Sequence, residues 1–430
     1  MLRATSVAAL ALGLSAAGAA RAQELSGELT IWSWDIAAQA LEAVAQGFME
    51  QNPGVTVTVE DLGNAQVFDR TLAGCAAGGA DLPDVISTEN HEAEIFWAQF
   101  PDCFADLRDL GYTDELAGQF PEFKRTELMA GDAVYAMPWD SGPVVMFYRR
   151  DFYENAGVDP ATITTWDDFI EAGKKVEEAN QGAEMTQGDI NGDTEWFRMI
   201  ANEQGCGYFS NDGTEITINQ PGCVAALDTY KRLIDEGLVG AANWGDKITS
   251  NNAGTVASQL YGGWYEGIIR TTSPEDQSGK WGVYQMPTVA EGGARAANLG
   301  GSALAIPASS DNLEAAYAFL EYALGTNEGQ VTMLREFGLV PSLLTAVEDP
   351  YVQEPSEFWG GQPVWQDVLA TLDQINPSRG TPFFADADAV MRTAQTGYLN
   401  GDYESAQAAL DEAASQIEAA TGMPVATAAQ

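Results

Sequence analysis

The chain has 430 residues, of which 45% are hydrophobic, and its 63 acidic and 20 basic side chains give a net charge of −43. So negative a surface repels nucleic acid and anionic lipid. Charge spread along a whole chain is typical of a solubility or high-salt adaptation rather than of a cation site. The length exceeds what one hydrophobic core usually supports, so the composition predicts a globular protein with two domains.

The first twenty-two residues have the pattern of an export signal. Arg3 precedes an apolar run over residues 7–20, and Ala20-Arg21-Ala22 places small residues before Gln23. The run is shorter than the roughly 20 residues that span a bilayer, which argues against a membrane anchor. The predicted cleavage point has no cysteine, so the sequence gives no sign of lipid attachment. We expect cleavage after Ala22, a mature chain in the bacterial periplasm, and a net charge of −45 once Arg3 and Arg21 are lost from −43.

Four cysteines in an oxidising compartment indicate two disulfides. Four cysteines allow three pairings, and we favour the two that are local in sequence, Cys75 with Cys103 and Cys206 with Cys223. Neither pair has CxxC spacing, so zinc binding and thioredoxin-like redox chemistry find little support. Each bridge would stabilise the fold by roughly 3 kcal/mol.

The mature chain opens on a predicted β-α-β unit. Leu29 and Ile31 alternate as in a strand, residues 41–49 carry an apolar helix face that Pro53-Gly54 ends, and residues 55–59 alternate again. These two strands should lie parallel with a right-handed crossover. A third strand is predicted over residues 83–86.

Further along, two strand-like runs are separated by a break. Residues 134–138 and 144–148 favour strands, while Pro and Gly in Trp139–Pro143 break regular pairing and mark a candidate interdomain crossing. Thr165–Asp168 forms a helix-capping box. A final amphipathic helix is predicted over residues 402–421, and neither a fixed-period repeat nor a low-complexity linker interrupts the alternation of helices and strands.

In this order the blocks resemble the family 1 extracellular solute-binding proteins of ABC importers, which include maltose-type and other oligosaccharide-binding proteins. The resemblance covers nearly the whole mature chain. Each block is weak alone, but their order is specific. The blocks are Glu28-Leu29-Thr30-Ile31-Trp32-Ser33, Phe48 with Asn52-Pro53-Gly54-Val55, Leu82-Pro83-Asp84-Val85, Met137-Pro138, Phe147-Tyr148-Arg149-Arg150-Asp151, Ala156-Gly157-Val158, Thr165-Trp166-Asp167-Asp168-Phe169, Gly262-Gly263-Trp264, Ala315 to Leu324 and Gly338-Leu339-Val340-Pro341-Ser342.

The resemblance implies an α/β, two-lobed periplasmic binding protein fold of type II, a Venus-flytrap clamp with discontinuous lobes. The chain would cross between lobes near Pro138, Met286-Pro287 and Ser342. The N-terminal lobe would comprise residues 23–138 plus 287–342, and the C-terminal lobe 139–286 plus 343–430. It further implies a monomer without cofactor or metal that binds a sugar, with lactose- and oligosaccharide-binding members the most similar, and that delivers it to permease subunits in the inner membrane.

Sugar chemistry suggests which residues to examine. A pyranose stacks its C–H face on aromatic rings, while its hydroxyls need paired donors and acceptors. In open α/β sheets ligands lie at the carboxyl ends of strands. The residues that follow predicted strands, or that match sugar-stacking positions of the family, are Trp34, Asp35, Glu89, Asn90, Asp140, Trp196, Trp264, Tyr265, Trp359 and Gln362.

Each candidate also has an ordinary structural interpretation. Trp34, Trp196 and Trp359 could be core tryptophans, Asp35 could cap the helix beginning at Ile36, and the acids could be solvated surface groups. Trp264 is the strongest candidate, because Gly262-Gly263 permits a close backbone approach to a ligand, although glycine replaces the proline of the family's Gly-Pro-Trp-like segment.

Two further features receive less weight. His91 is treated as incidental. Asp189–Glu195 carries oxygen side chains at alternating positions, as a calcium loop does, but Thr194 and Ile200 stand where an EF-hand needs glycine and glutamate. A polar turn is the favoured interpretation there.

Two functional alternatives remain open at this point. A secreted glycoside hydrolase needs only two suitable carboxylates, which so acidic a chain could supply. However, the mature chain lacks Gly-x-Ser-x-Gly, HExxH and phosphate-loop motifs, so we expect no enzyme. Acidic residues with tryptophan could also form a polyamine box within the same fold.

Overall fold

A computed structural model describes residues 25–130 and 132–427. The predicted export signal lies outside the described residues. The strands are β1 Gly27–Ser33, β2 Val55–Asp61, β3 Val85–Glu89, β4 Met129–Ala130, β5 Ala133–Val134, β6 Ala136–Pro138, β7 Val144–Arg149, β8 Thr186–Gly188, β9 Val239–Ala241, β10 Ser258–Gly262, β11 Trp281–Gln285 and β12 Ser302–Ala305.

Seventeen α-helices are described, together with short 3-10 turns. Within the described ranges none of them is long and apolar enough to cross a bilayer. The helices are α1 Asp35–Gln51, α2 Asn64–Ala76, α3 Asn90–Gln99, α4 Leu107–Leu110, α5 Asp114–Ala117, α6 Glu122–Glu127, α7 Arg150–Asn155, α8 Trp166–Ala179, α9 Glu195–Glu203, α10 Pro221–Asp235, α11 Trp244–Ala253, α12 Tyr265–Thr272, α13 Leu313–Leu324, α14 Asn327–Phe337, α15 Val364–Leu369, α16 Phe384–Asn400 and α17 Ala406–Thr421.

The N-terminal lobe is built on a five-stranded sheet with strand order β2-β1-β3-β12-β6. The predicted β-α-β unit is confirmed, since β1 and β2 pair in parallel from Gly27 with Val55 onward. β3 starts at Val85, later than the predicted Pro83. Proline has no N–H to donate to a ladder, and the pairing of β3 with β1 begins where Ile31 meets Val85.

Alternation of side chains divides this lobe's core into two layers. Val85, Leu304 and Ile306 pack with α1, α13 and α14 on one face. Ile86 and Ala303 pack with α3 and the buried Cys75 and Cys103 on the other. The sheet is therefore covered by helices on both faces.

The C-terminal lobe has a smaller antiparallel sheet, β10-β7-β11, surrounded by helices. The capping box is confirmed at α8. The hydroxyl of Thr165 accepts from the backbone N–H of Asp168, and the Asp168 carboxylate accepts from the backbone N–H of Thr165. The last helix begins at Ala406 rather than at residue 402, because the Ser405 side chain accepts from Ala408 N–H and caps it there.

Three chain segments pair with one another between the two sheets and form the hinge. Ser141 N–H donates to Val340 O at 2.9 Å, and the Ser141 and Ser342 hydroxyls are 2.8 Å apart. Val144 N–H donates to Ala297 O at 2.8 Å. We propose that these three paired segments, including the predicted crossing Trp139–Pro143, are the interdomain crossings.

Core packing bears on where the lobe borders lie. Met286 and Leu299 still pack in the core of the C-terminal lobe, whereas Ser302 begins a strand of the N-terminal sheet. Leu343 and Ala346 belong to the N-terminal core. We propose that the second crossing lies at residues 298–302 rather than at 286–287, and that the third ends beyond residue 346.

Both predicted disulfides are confirmed, one in each lobe. Cys75 bridges Cys103 with 5.4 Å between Cα atoms, and Cys206 bridges Cys223 with 5.5 Å. Cys75–Cys103 joins α2 to the segment after α3 behind the N-terminal sheet. Cys206–Cys223 joins the segment after α9 to α10.

Candidate functional site

A cavity lies between the lobes beside the hinge. Its volume of about 80 Å³ is well below the roughly 300–1,000 Å³ of pockets that enclose larger ligands, so the lobes must separate to admit anything larger than a few waters. Its lining includes Asn90, His91 and Glu127 from the N-terminal lobe, Arg198, Tyr208, Arg379 and Phe384 from the C-terminal lobe, and Asn298, Leu299 and Gly300 from the hinge.

The N-terminal wall is formed where α3 begins and where α6 packs against it. Asn90 is 3% exposed, and its side-chain N–H donates to a Glu127 carboxylate oxygen. Its own amide oxygen is buried on the cavity and has no hydrogen-bond partner among the described residues. Burial raises the pKa of Glu127 to about 7, although Lys124 and the bond from Asn90 oppose this.

His91, next along α3, packs its ring 5.0 Å from that of Phe384 across the cleft. Burial, assisted by the positive charge of Arg198, lowers the pKa of His91 to about 3. The imidazole is therefore neutral at physiological pH and presents both a donor and an acceptor.

The C-terminal wall combines a guanidinium with aromatic rings. Arg198 lies on α9, and its Nε is shielded from solvent without an acceptor among the described residues. Its guanidinium lies 5.6 Å from the ring centre of Phe384, which in turn stacks on Tyr208 at 5.4 Å. The Tyr208 hydroxyl donates to Asp388 Oδ1 at 2.6 Å, which fixes the ring.

A latch joins the two lobes at one end of the cavity. Arg379 Nε donates to Glu94 Oε1 at 2.5 Å, and its Nη2 donates to Met129 O at 2.8 Å. The next residue is Gly380, where a Cβ atom would lie 2.7 Å from His91 O, so glycine is required for this close approach. Burial raises the pKa of Glu94 to about 7 despite the neighbouring Arg379.

An aromatic shelf, Trp244, Tyr261, Trp264 and Tyr265, lies beside the hinge. Trp244 is 43% exposed, and its ring centre is 5.9 Å from that of the half-buried Trp264. Trp264 Nε1 donates to Leu299 O at 2.8 Å, and Leu299 lines the cavity. The shelf therefore adjoins the cavity through the hinge strand.

A polar edge also connects the shelf to the cavity. The Tyr261 hydroxyl donates to Glu195 Oε2 at 3.0 Å and accepts from Lys247 Nζ at 2.6 Å. Glu195 and Arg198 are three residues apart on α9 and so share one helix face. The Tyr261 hydroxyl, the Glu195 carboxylate and the Arg198 guanidinium thus form a continuous polar edge between the shelf and the cavity.

Of the predicted site residues, Asn90 lies on the cavity wall and Glu89 lies next to it. The Glu89 carboxylate accepts from Asn64 Nδ2 at 3.1 Å and lies 3.4 Å from His91 Nδ1. Burial, reinforced by Glu92 and Asp140, raises the pKa of Glu89 to about 7. Trp34 shares a small crevice with Glu89, outside the main cavity.

Two predicted aspartates lie away from the cavity. Asp35 is exposed, is the first residue of α1 and has a positive φ of 43°. Asp140 is buried at the hinge, where its carboxylate accepts from both the backbone N–H and the hydroxyl of Ser302. We therefore assign Asp140 to the hinge rather than to ligand contact.

The remaining predicted residues have their polar atoms paired inside the C-terminal lobe. Trp196 Nε1 donates to Gln187 O, the Tyr265 hydroxyl accepts from Asn251, and Trp359 Nε1 donates to Glu266. Gln362 pairs with Val283 N–H and O at the sheet edge. None of the four lies on the cavity wall, and we leave them out of the proposed site.

The glycines before Trp264 serve packing rather than ligand approach. A Cβ atom on Gly262 would lie 2.6 Å from Leu299 O, and one on Gly263 would lie 2.4 Å from Val368 Cγ1. They allow β10 to pass directly against the hinge and α15.

The segment Asp189–Glu195 forms a polar turn, in which Asp189 Oδ1 accepts from Gly192 N–H at 2.9 Å. Lys247 Nζ lies 4.0 Å from Asp193 and 3.9 Å from Glu195. Across residues 25–130 and 132–427, no group of three or more His, Cys, Asp or Glu side chains could hold a metal ion.

Sequence reasoning missed most of the cavity residues and set His91 aside. Arg198 and Arg379 carried a usable signal, because basic side chains are scarce here, at 20 of 430 residues. Arg379 also stands next to Gly380 in a loop rich in Pro and Gly, where binding residues concentrate. Glu127, Tyr208 and Phe384 showed no local feature that separates them from ordinary structural residues.

Comparison with known proteins adds a family match. A family model described as bacterial extracellular solute-binding protein matches residues 33–330. The lactose-binding protein of Rhizobium radiobacter is 33% identical over 404 residues, which cover 91% of this chain and 94% of that protein.

Solved structures agree with the fold. The ABC transporter associated binding protein of B. animalis subsp. lactis Bl-04, in complex with β-1,6-galactobiose, superposes with a TM-score of 0.73 at 26% identity, covering 92% of this chain and 97% of that one. The sugar-binding protein MalE of Xanthomonas citri gives a TM-score of 0.77 at 18% identity, covering 91% and 97%. These matches confirm the two-lobed α/β fold that the motif order predicted.

Proposed function

The chain belongs to the family of bacterial extracellular solute-binding proteins, and we propose that it captures a di- or oligosaccharide between its lobes and delivers it to the permease of an ABC importer. One observation carries the ligand class. Among the described residues, the cavity lining has a buried donor without a partner, Arg198 Nε, on one lobe and a buried acceptor without a partner, Asn90 Oδ1, on the other. Sugar hydroxyl groups both donate and accept, so a sugar complements both atoms.

The aromatic residues support the same ligand class. Phe384 and Tyr208 stack inside the cavity, and Trp264 and Trp244 continue the aromatic surface beside it. Ring faces of this kind accommodate the C–H face of a pyranose. The relatives bind lactose and β-1,6-galactobiose, both galactose-containing disaccharides, so we propose a galactoside disaccharide as the first ligand to test.

Closure is the proposed mechanism of capture. A ligand that contacts both walls binds the closed state more tightly than the open one and shifts the population toward closure. The three hinge strands permit rotation of one lobe against the other without breaking either core. The closed arrangement then presents the two lobes to the permease in one defined geometry.

We further propose that the protein binds without turnover and acts in the periplasm after cleavage following Ala22. The relatives compared above are binding proteins. On the cavity wall, the Glu127 carboxylate accepts from Asn90, and at the latch the Glu94 carboxylate accepts from Arg379. Incubation with labelled lactose tests the first statement, since repeated release of monosaccharide would contradict it. N-terminal sequencing of the periplasmic protein tests the second.

The central experiment is a thermal unfolding scan with lactose, β-1,6-galactobiose, maltose and arabino-oligosaccharides, using spermidine and amino acids as controls. A ligand at a hundredfold over its dissociation constant stabilises the folded state by about 2.7 kcal/mol. We expect a galactoside to raise the midpoint. If only spermidine raised the midpoint, the assigned fold would stand, but the ligand would be a polyamine rather than a sugar.

Variants then locate the site. We expect Arg198→Gln to weaken sugar affinity about 30-fold, equivalent to about 2 kcal/mol, because a charged hydrogen-bond donor is lost from the wall. Trp264→Ala should weaken it about tenfold through lost stacking. Arg232→Gln is the matched control, since that arginine pairs with Asp167 on an exposed helix surface. Unchanged affinity in Arg198→Gln would remove the cavity from the proposed site.

A further inference from the structure

A second cavity, of about 230 Å³, lies in the N-terminal lobe away from the cleft. It is bounded by α4, α5 and α6 and by β6, the edge strand of the five-stranded sheet. It shares no lining residue with the cavity between the lobes. A ligand there would therefore contact other residues than a ligand in the cleft, although the backbone O of Met129, which lines this cavity, also accepts from Arg379 of the latch.

Arg125 contributes a half-buried guanidinium to the lining of this cavity. Its Nε is shielded from solvent and has no hydrogen-bond partner, and within residues 25–130 and 132–427 no carboxylate lies within ion-pair distance of it. Buried donors are normally paired, because an unpaired one loses its hydration without compensation. Arg125 therefore brings a positive charge to this cavity without a paired anion among the described residues.

Two further donors converge on the same space. Arg108 lies at the cavity mouth, and its Nη1 is 3.5 Å from Asp114 Oδ1. That carboxylate is 91% exposed, so the pair is solvent-screened and weak. Tyr112 is buried, and burial raises its pKa to about 12, so its phenol remains protonated and can donate.

The charge balance of the cavity is opposite to that of the chain. Acidic side chains outnumber basic ones by 63 to 20 overall, yet this cavity is lined by two arginines and one exposed carboxylate. Leu128, Met129 and Val134 supply apolar walls. Such walls strengthen charge-assisted hydrogen bonds by excluding water.

We propose that this cavity is a binding site for a small oxyanion, a phosphate or carboxylate group held by Arg125 and Arg108 with a hydrogen bond from Tyr112. The planar guanidinium fork matches the oxygen geometry of both groups. A hydroxylated neutral sugar would leave the two positive charges uncompensated, so this site differs from the cleft in ligand chemistry.

Calorimetric titration with inorganic phosphate and, separately, with acetate tests the proposal, at an ionic strength held constant with chloride because salt screens such contacts. We expect one saturable site in the wild-type protein and affinity weakened at least about tenfold in Arg125→Gln. Arg232→Gln should bind as the wild type does. Preference for one probe over the other identifies the oxyanion class.

Arg108→Gln and Tyr112→Phe provide second readings if Arg125→Gln does not fold, and each should also weaken binding. Arg198→Gln should retain oxyanion binding, and saturating sugar should not compete, which separates this result from that for the cleft. Absence of a saturable site for both probes, or full affinity in all three cavity variants, would overturn the proposal.

Discussion

The two walls of the cleft are built from opposite chemistry. The N-terminal wall presents the carboxyl group of Glu127, and that of Glu94 lies at the latch; burial raises the pKa of both to about 7. The C-terminal wall presents the guanidinium groups of Arg198 and Arg379 beside the ring of Phe384. Burial costs both acids hydration, and this cost is only partly offset, by Arg379 for Glu94 and by Lys124 for Glu127. We expect this cost to oppose closure, so that a ligand contacting both walls shifts the population toward the closed state.

The two disulfides allow the walls to be perturbed separately. Cys206 and Gly207 line the cavity, whereas Cys75 and Cys103 lie behind the N-terminal sheet. Replacing either pair with alanine should destabilise the fold by about 3 kcal/mol, since the loops closed are of similar length. We expect sugar affinity to fall as well only in Cys206→Ala/Cys223→Ala, which loosens the segment that carries Tyr208.

Denaturant unfolding measures the loss of folding stability in each double variant, and calorimetric titration measures the loss of sugar affinity. Equal loss of affinity in both double variants would mean that the disulfides act through global stability, and that the C-terminal wall is not selectively perturbed.

The acidic wall should make stability depend on pH. Between its usual pKa of 4.5 and the folded value of about 7, Glu127 binds more protons in the folded chain than in the unfolded one. Stability should therefore fall as pH rises through this window, by at most about 3 kcal/mol for this group. Glu127→Gln should flatten the dependence of the unfolding midpoint on pH.

Glu122→Gln is the matched control, because Glu122 is exposed on the same helix. An equally steep profile in Glu127→Gln and the wild type would show that the buried carboxyl at this position does not set the pH response.

The contrast between the walls also shows what sequence can and cannot predict. Most strand and helix positions, the capping box at Thr165 and both disulfides are predicted from the sequence, and the structure confirms them. The exceptions are the starts of β3 and α17 and the predicted strand 134–138, which the structure divides into β5 and β6. The site does not follow in this way. Trp196 and Arg198 are two positions apart on α9, yet one is stacked on Tyr230 in the core and the other faces the cavity. How the helix is rotated relative to elements distant in sequence decides which of its side chains face the cavity. The local sequence does not predict this rotation.

The latch offers the smallest but most specific perturbation of the balance between the walls. Arg379 contacts Glu94 and Met129 O on the opposite lobe. Arg379→Ala should favour the open state and weaken sugar affinity about tenfold. This corresponds to a loss of about 1.4 kcal/mol in the free energy of closure. Small-angle scattering without sugar should show a larger radius of gyration than for the wild type, and saturating sugar should restore the closed value.

A double-mutant cycle separates the interlobe contact from any direct contact of Arg379 with the sugar. If the pair with Glu94 carries the effect, Glu94→Gln should weaken affinity too, and the combined variant should lose less than the sum of the two. Additive losses would mean that Arg379 and Glu94 act on sugar affinity independently of each other. In that case their interlobe ion pair would have no part in closure, and the raised pKa of Glu94 would be a consequence of packing alone.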